Sequence, residues 1–286
     1  MEPTAGREPL PGVTPAETPP LVLVAGDARV EVRPGEGGRI ASLTVGGREL
    51  LVTSGRDAIH WGSFPMAPFA GRVRDARFEF GGRTHRLRPT MPPHAIHGVV
   101  FDRAWQVRDD CTIGVDLPDG WPFVGRVEQR FALEPDRLEV TLELHADEAM
   151  PGALGWHPWF QRRLEDSPPA RLHLDAAHML RRDADGIASR TLVPPSGGPW
   201  DDTFTGLRRP PVVEWPGILS LELTSSAAFW VIFDEEPHAL CVEPQTEPPD
   251  ELNHRPNVVE PGAPLVATMA WRWWRPGTED RPPGGA

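Results

Sequence analysis

Apolar and polar residues alternate along much of this chain with the two-residue period of a half-buried β-strand. The clearest run is Leu138–Leu144, in which every second residue is apolar. Arg39–Val45 alternates in the same way and leads through Gly46 and Gly47 into a second apolar run. Two such runs around a glycine pair are typical of a β-hairpin.

The hairpin pattern occurs twice more. Arg77–Phe80 turns at a second glycine pair into Arg83–Leu87, and Arg126–Leu133 turns at residues 134–136 into Leu138–Leu144. Glycine and proline interrupt the chain so often that no long stretch keeps a helical period. We therefore predict an all-β fold, a large antiparallel β-sandwich with few short helices.

The domain organisation follows from the distribution of proline, glycine and polar residues. Residues 1–20 are proline-rich and polar, which predicts a disordered N-terminal segment. Residues 21–275 contain neither a fixed-period repeat nor a linker, which predicts a single domain of a size that all-β folds reach. Residues 276–286 are predicted to be a flexible tail.

Composition narrows the choice of partner and compartment. The net charge of −12 argues against a nucleic-acid partner bound by bulk electrostatics. Cys111 and Cys241 lack CxxC spacing, which argues against a disulfide framework or a cysteine-based zinc site. No signal peptide and no bilayer-spanning apolar run is visible, so we expect a cytoplasmic protein with no membrane partner. Whether it is a monomer or a homodimer is left open.

The segment Gly152–Phe160 places one histidine between small residues and aromatic residues. Pro158 directly follows His157 and favours extended backbone there. An imidazole on such a segment can act as a general acid, and the alternative is a structural histidine packed among tryptophans.

Other candidate residues lie in separate parts of the chain. His94 and His97 follow a proline pair and can bind either a polar ligand or a metal, which would need a third ligand such as His157 or Glu243. Glu243 ends a short apolar segment, a position suited to acid–base chemistry. Arg72 follows a glycine turn and can donate to a sugar hydroxyl or a phosphate.

Five segments, in this order, resemble the aldose 1-epimerase (galactose mutarotase) family over residues 28–274. The segments are PMAPFAGRVRDARFEFGG from Pro65, HAIHG from His94, GWHPWF from Gly155, DDTF from Asp201 and EPQTEPPDELN from Glu243. The resemblance implies a β-sandwich enzyme that binds a small-molecule sugar and uses no metal or cofactor.

The resemblance also implies roles for individual residues. Glu243 would be the general base at the anomeric hydroxyl, and His157 would be the general acid at the ring oxygen. The predicted sugar-binding residues are Arg72, His94, His97, Asp201 and Gln245. Asp202, next to Asp201, is a second candidate for the acidic sugar ligand.

Two departures from the family pattern bear on which sugar fits. Gly71 stands where many members have asparagine, and Trp159 stands where tyrosine is common. The function expected is interconversion of the α and β anomers of a free aldohexose such as glucose or galactose. The alternatives are a hexose-6-phosphate 1-epimerase, a non-catalytic sugar-binding or regulatory protein, and a metal-dependent hydrolase that uses His94, His97 and His157.

Overall fold

The structure, a computed structural model, describes residues 18–165 and 167–277. The predicted N-terminal segment and C-terminal tail lie almost wholly outside these residues, and the single-domain assignment stays a prediction. In the described part of the chain the only helices are short 3₁₀ turns, at Pro34–Glu36, Arg74–Ala76 and Glu251–Asn253. None of the helices described is long and apolar enough to cross a membrane.

Strands account for most of the described chain, which confirms the all-β prediction. In chain order they are β1 (Leu21–Ala25), β2 (Ala28–Arg33), β3 (Arg39–Val45), β4 (Arg48–Glu49), β5 (Ser63–Met66), β6 (Arg72–Val73), β7 (Arg77–Phe80), β8 (Arg83–Arg86), β9 (Ala95–Ile96), β10 (Gln106–Val107), β11 (Thr112–Asp116), β12 (Gly125–Glu134), β13 (Arg137–Ala146), β14 (Met150–Gly152), β15 (Gly155–Gln161), β16 (Arg171–Arg182), β17 (Ala188–Val193), β18 (Asp201–Trp215), β19 (Leu219–Ser225), β20 (Phe229–Phe233), β21 (Ala239–Gln245), β22 (Asn257–Val259) and β23 (Leu265–Trp274).

The alternating runs form the hairpins that the sequence predicts. Strands β3 and β4, β7 and β8, and β12 and β13 pair antiparallel around the predicted turns. In β13 the apolar positions Leu138, Val140, Leu142 and Leu144 are fully buried, and the polar positions between them are half-buried. The two-residue period therefore reports which side chains of this strand face the core.

The antiparallel sheet divides into two layers at the long strand β18. Its first residues, Asp201–Thr205, pair with β20, and Val212–Trp215 near its end pair with β19. One layer continues from β20 through β21, β15, β5, β3 and β2 to β1. The other continues from β19 through β23, β13, β12 and β11 to β10.

Large aromatic residues join the two layers, which confirms the sandwich. The ring of Phe160 on β15 lies 5.2 Å from that of Trp271 on β23, and the Trp156 Nε1–H donates to Gln129 Oε1 on β12 at 2.9 Å. Burying each such ring contributes about 2–3 kcal/mol to folding. Because Trp156 and Phe160 point into this core, the alternate residues His157 and Trp159 point to the outer face of their layer.

Candidate active site

A cleft lies on this outer face, over β15, β20, β21 and the start of β18. Its volume, with the open mouth included, is about 850 Å³, a size that holds a small-molecule ligand. Six of the seven predicted site residues line it: Arg72, His97, His157, Asp201, Glu243 and Gln245. They come from five separated parts of the sequence, and the strand pairing brings them together.

One row of side chains crosses four strands at the floor of the cleft. Thr203 on β18 pairs with Val231 on β20, and Val231 pairs with Glu243 on β21. His157 on β15 completes the row. Gly155 and Trp159, two residues before and after it, pair with Gln245 and Cys241, which lie two residues after and before Glu243. The sheet register therefore sets the position of the two candidate proton-transfer groups.

The His157–Glu243 pair is buried and in direct contact. The distance from His157 Nε2 to Glu243 Oε1 is 3.2 Å, and only 7% and 2% of the two side chains are exposed. Gln245 Nε2–H donates to the other carboxyl oxygen of Glu243 at 3.2 Å. The imidazole stacks on Phe64 and Trp159, whose ring centroids lie 4.9 and 5.3 Å away. These contacts hold the ring with Nε2 beside the carboxyl group.

Burial disfavours charge on both members of this pair. Burial lowers the pKa of His157 to about 3, and the nearby His60 shifts it in the same direction. Burial raises the pKa of Glu243 well above its ordinary value, and the Asp201 carboxylate adds to the rise. The directions of the two shifts favour a protonated Glu243 carboxyl group in contact with a neutral His157 imidazole.

A charged cluster of Arg72, Arg182 and Asp201 also lines the cleft. Arg72 Nη2 lies 3.4 Å from Asp201 Oδ2, and Arg182 Nη1 lies 3.5 Å from the same oxygen. Because side chains alternate along β18, Asp201 and Thr203 line the cleft and Asp202 does not. Of the two acidic candidates, the structure brings Asp201 to the site.

The two histidines of the HAIHG segment have different positions. His97 lines the cleft, with its ring 4.9 Å from that of His157, and burial lowers its pKa well below the ordinary value. His94 is buried beside the lining residue Met91, with which it forms a β-bridge. Its Nδ1 accepts a hydrogen bond from the backbone N–H of Asp75 at 3.1 Å, so this nitrogen is engaged with the protein itself.

Both departures from the family pattern lie in the cleft wall. Gly71 has φ of +64°, and a Cβ there would come within 2.7 Å of Pro249 Cγ, so glycine suits both its backbone and its surroundings. Trp159 donates from Nε1 to the carbonyl oxygen of Ile59 at 3.0 Å. This hydrogen bond connects the loop that carries His60 to the strand that carries His157.

Several buried polar atoms of the cleft residues have no hydrogen-bond partner within the described chain. They are His97 Nδ1, His157 Nδ1 and Gln245 Oε1. Leaving a buried polar group unpaired costs about 1–3 kcal/mol, so native structures satisfy most of them. A ligand with several hydroxyl groups can donate to and accept from these atoms.

Sequence reasoning missed several cleft residues, among them Arg182 and His60. Arg182 is brought in by the pairing of β16 with β18, and nothing in its local sequence marks it. His60 also lines the cleft, and its Nδ1 hydrogen-bonds to Asp57. Its ring lies 5.4 Å from that of Trp159, but the segment around it carries no pattern that predicts this contact.

The structure also tests the geometry of a metal site. In the part of the chain it describes, one group of three is close enough together to be a candidate set of metal ligands: His157, Cys241 and Glu243, whose ligand atoms all lie within 4.8 Å of one another. His94, His97 and His157 form no such group among these residues, so the set of ligands expected for a three-histidine hydrolase is wrong.

Comparison with known proteins places the chain in a family. A sequence profile of the aldose 1-epimerase family matches residues 21–214. The uncharacterized protein YphB of Escherichia coli K12 is 28% identical over 244 residues, which covers 73% of this chain and 82% of that protein.

Solved structures share the fold. A protein of Escherichia coli K12, provisionally described as an aldose 1-epimerase, superposes with a TM-score of 0.78 at 23% identity, covering 90% of this chain and 99% of that one. A galactose mutarotase-like protein of Clostridium acetobutylicum gives 0.78 at 16% identity, covering 92% and 97%. Galactose 1-epimerase of Lactobacillus acidophilus gives 0.72 at 16% identity, covering 87% and 92%. The family match and the shared fold agree, and this chain belongs to the aldose 1-epimerase family.

Proposed function

We propose that the protein is an isomerase that interconverts the α and β anomers of a free aldohexose, such as glucose or galactose. The observation that carries this proposal is the 3.2 Å contact between His157 Nε2 and Glu243 Oε1 on the floor of the cleft. Mutarotation needs one group that accepts a proton and another that donates one, and this pair supplies both in direct contact.

The pair holds the one proton that the reaction requires. Transfer of the carboxyl proton of Glu243 to His157 Nε2 produces a carboxylate and an imidazolium without a change in total charge. The carboxylate then accepts the proton of the anomeric hydroxyl, and the imidazolium donates its proton to the ring oxygen as the C1–O5 bond breaks. The product of this step is the open-chain aldehyde, and the pair again carries one proton.

Ring closure completes the exchange of anomers. Rotation about the C1–C2 bond presents the other face of the aldehyde carbonyl to the C5 hydroxyl. That hydroxyl loses its proton to His157 while the carbonyl oxygen gains one from Glu243, so acid and base exchange roles. The chain's own side chains perform every proton transfer in this scheme.

The remaining cleft residues are assigned to sugar binding. Asp201 accepts from vicinal hydroxyls, Arg72 donates to them, and the partnerless buried atoms of His97 and Gln245 provide further hydrogen-bonding sites. Because these groups bind hydroxyls away from C1 in both anomers, they hold the ring while the configuration at C1 changes. His94 is placed next to this set and supports the backbone of Asp75.

Polarimetry with freshly dissolved α-D-glucose and α-D-galactose tests the proposal. We expect the wild-type protein to accelerate mutarotation above the buffer rate with at least one sugar. Glu243→Gln and His157→Gln each remove one proton-transfer group, and each is expected to lower kcat by about 10²- to 10⁴-fold. Glu79→Gln and His178→Gln, the same changes at exposed strand positions, serve as matched controls and should leave the rate unchanged.

Two outcomes contradict the proposal in different ways. Wild-type rates in Glu243→Gln would show that this carboxyl group is not the base. Calorimetric binding of both sugars without any acceleration of mutarotation would favour the non-catalytic sugar-binding protein.

One observation supports a second candidate, a hexose-6-phosphate 1-epimerase. Arg56 and Arg182 line the cleft in addition to Arg72, and the Arg56 side chain is 71% exposed. A guanidinium at the mouth is suited to a phosphate on the sugar. A kcat/KM for α-D-glucose 6-phosphate about tenfold above that for glucose, lost in Arg56→Gln, would favour this candidate.

A further inference from the structure

Cys241 lies next to the His157–Glu243 pair, although the mechanism assigns it no part. It is fully buried and precedes Glu243 by two residues on β21, so both side chains point to the same face of the strand. Its partner on β15 is Trp159, two residues beyond His157. The register thus brings a thiol, an imidazole and a carboxyl group together, with their ligand atoms within 4.8 Å of one another.

A cysteine thiolate, an imidazole and a carboxylate are all groups that bind zinc in proteins. Zinc in catalytic sites is bound by three protein ligands drawn from cysteine, histidine and carboxylate, with the fourth position left open. In a tetrahedral zinc site the ligand atoms are about 3.3–3.6 Å apart, a spacing that follows from the usual zinc–ligand distances. His157 Nε2 and Glu243 Oε1, at 3.2 Å, are close to this spacing. No separation in the group of three exceeds 4.8 Å, so reaching the spacing of a zinc site requires a movement of about 1 Å.

We propose that His157, Cys241 and Glu243 form a binding site for Zn²⁺, and that zinc in this site inhibits the enzyme. On binding, the Cys241 thiol and the Glu243 carboxyl group each release a proton to solvent, so two negative ligands balance the charge of the ion. His157 and Glu243 line the cleft, which gives the metal an entry path and leaves its fourth position facing the cleft. Inhibition follows because the ion occupies both proton-transfer groups, a step that rests on the proposed function.

The cysteine is what makes the site specific for zinc. Magnesium and calcium prefer oxygen ligands and gain little from a thiol and an imidazole. Without the sulfur, the pair offers only one nitrogen and one carboxylate, fewer than a zinc site requires. Removing Cys241 should therefore weaken zinc binding without preventing mutarotation by His157 and Glu243.

The binding test uses the full-length protein after chelator treatment and buffer exchange. Isothermal titration with zinc chloride is expected to show one site per chain, and magnesium chloride is expected to show none. Cys241→Ser and Cys241→Ala should each weaken zinc binding by at least about tenfold. Cys111→Ser is the matched control, because Cys111 is the other cysteine and is partly exposed outside the cleft.

Cobalt gives a spectroscopic readout that does not depend on activity. Co²⁺ bound to the wild-type protein should show a thiolate-to-cobalt charge-transfer band in the near ultraviolet, and Cys241→Ser should lose it. No stoichiometric zinc binding by the wild-type protein would overturn the site. Equal zinc affinity in the wild type and both Cys241 variants would also overturn it, because the thiol would then not be a ligand.

The inhibition test is separate from the binding test. Mutarotation is measured with and without zinc at a concentration that saturates the wild-type site, and each variant is compared with its own rate in metal-free buffer. Zinc should abolish the wild-type acceleration and leave most of it in Cys241→Ala. Full activity of zinc-saturated wild-type protein would overturn inhibition. An absence of mutarotation in every sample, with zinc binding intact, would instead contradict the proposed function and leave the metal site standing.

Discussion

Two buried glutamines show how the core of this protein differs from its cleft. Gln129, between the layers, accepts a hydrogen bond from Trp156 Nε1 at 2.9 Å and donates one to the Gly38 carbonyl oxygen at 2.8 Å. Gln245, on the cleft floor, donates to Glu243, but its Oε1 has no protein partner within the described residues. Their exposures are 1% and 0%, so burial alone does not distinguish them.

The difference lies in what satisfies the polar atoms. In the core, the protein pairs both ends of the amide, and the side chain contributes to the packing of two layers. In the cleft, one end is paired and the other has no protein partner, which costs stability and leaves that end able to pair with a polar ligand. Substitutions in the core should therefore change stability, and substitutions in the cleft should change catalysis.

Gln129→Leu is the strongest test of the core half of this comparison. It leaves the Gly38 carbonyl and the Trp156 indole N–H buried without partners, at about 1–3 kcal/mol each, so unfolding should require about 2–6 kcal/mol less free energy. The measurement is chemical denaturation, with Gln106→Leu on the exposed strand β10 as the control. Any folded fraction should keep the wild-type kcat. A stable Gln129→Leu protein with impaired catalysis would mean that Gln129 contributes to catalysis rather than to the stability of the core.

Asp201→Asn tests the charged wall of the cleft. It removes the carboxylate that accepts from Arg72 and faces Arg182, and hydrogen bonds to charged groups contribute about 1.5–3 kcal/mol. KM for the sugar should rise by about 10- to 100-fold, by the usual conversion of free energy to affinity. Asp202→Asn changes a neighbour that lies outside the cleft lining. Equal effects of the two substitutions on KM would contradict the assignment of Asp201.

Gln245→Leu has a smaller expected effect, because only one of its two polar ends is paired in the protein. Loss of one hydrogen bond to Glu243 and one to the sugar should lower kcat/KM by about 5- to 30-fold, at about 1 kcal/mol for each bond. Stability should change by less than in Gln129→Leu, and denaturation of the two variants side by side measures this. A larger loss of stability in Gln245→Leu than in Gln129→Leu would contradict the contrast between the core glutamine and the cleft glutamine.

Much of the fold is predictable from sequence because it depends on local features. Alternation over Leu138–Leu144 and the glycine pair at Gly46 and Gly47 act through the chain's own pleat and turn geometry, and they appear in the structure as predicted. The division into two layers at β18 was not predictable in this way, because it depends on which distant strands pair with each half of one long strand.

The site was predictable only in part, for the same reason. His157 and Glu243 lie within recognisable segments, whereas Arg182 and His60 reach the cleft through strand pairing and loop packing. Cys241 illustrates the limit well. Its lack of a CxxC partner argues against a metal role, yet the β15–β21 register places it beside His157 and Glu243.

The pH dependence of kcat is the finest test, because over most of the range we expect no change. In the proposed mechanism, His157 and Glu243 share one titratable proton. The pair gains a second only when His157 is protonated, and the pKa of His157 is lowered to about 3, so no acid limb should appear near pH 6.5, the ordinary histidine value. It loses its proton only above the raised pKa of Glu243, so the alkaline limb should lie well above the ordinary carboxyl range.

Asp201→Asn removes one cause of the raised pKa of Glu243 and should move the alkaline limb to lower pH. The measurement is the polarimetric kcat from about pH 5 to pH 9, corrected for buffer catalysis. A tenfold fall in kcat between neutral pH and about pH 5.5 would mean that His157 titrates as a solvent-exposed imidazole. The protonation states assigned to His157 and Glu243 in the mechanism would then be wrong.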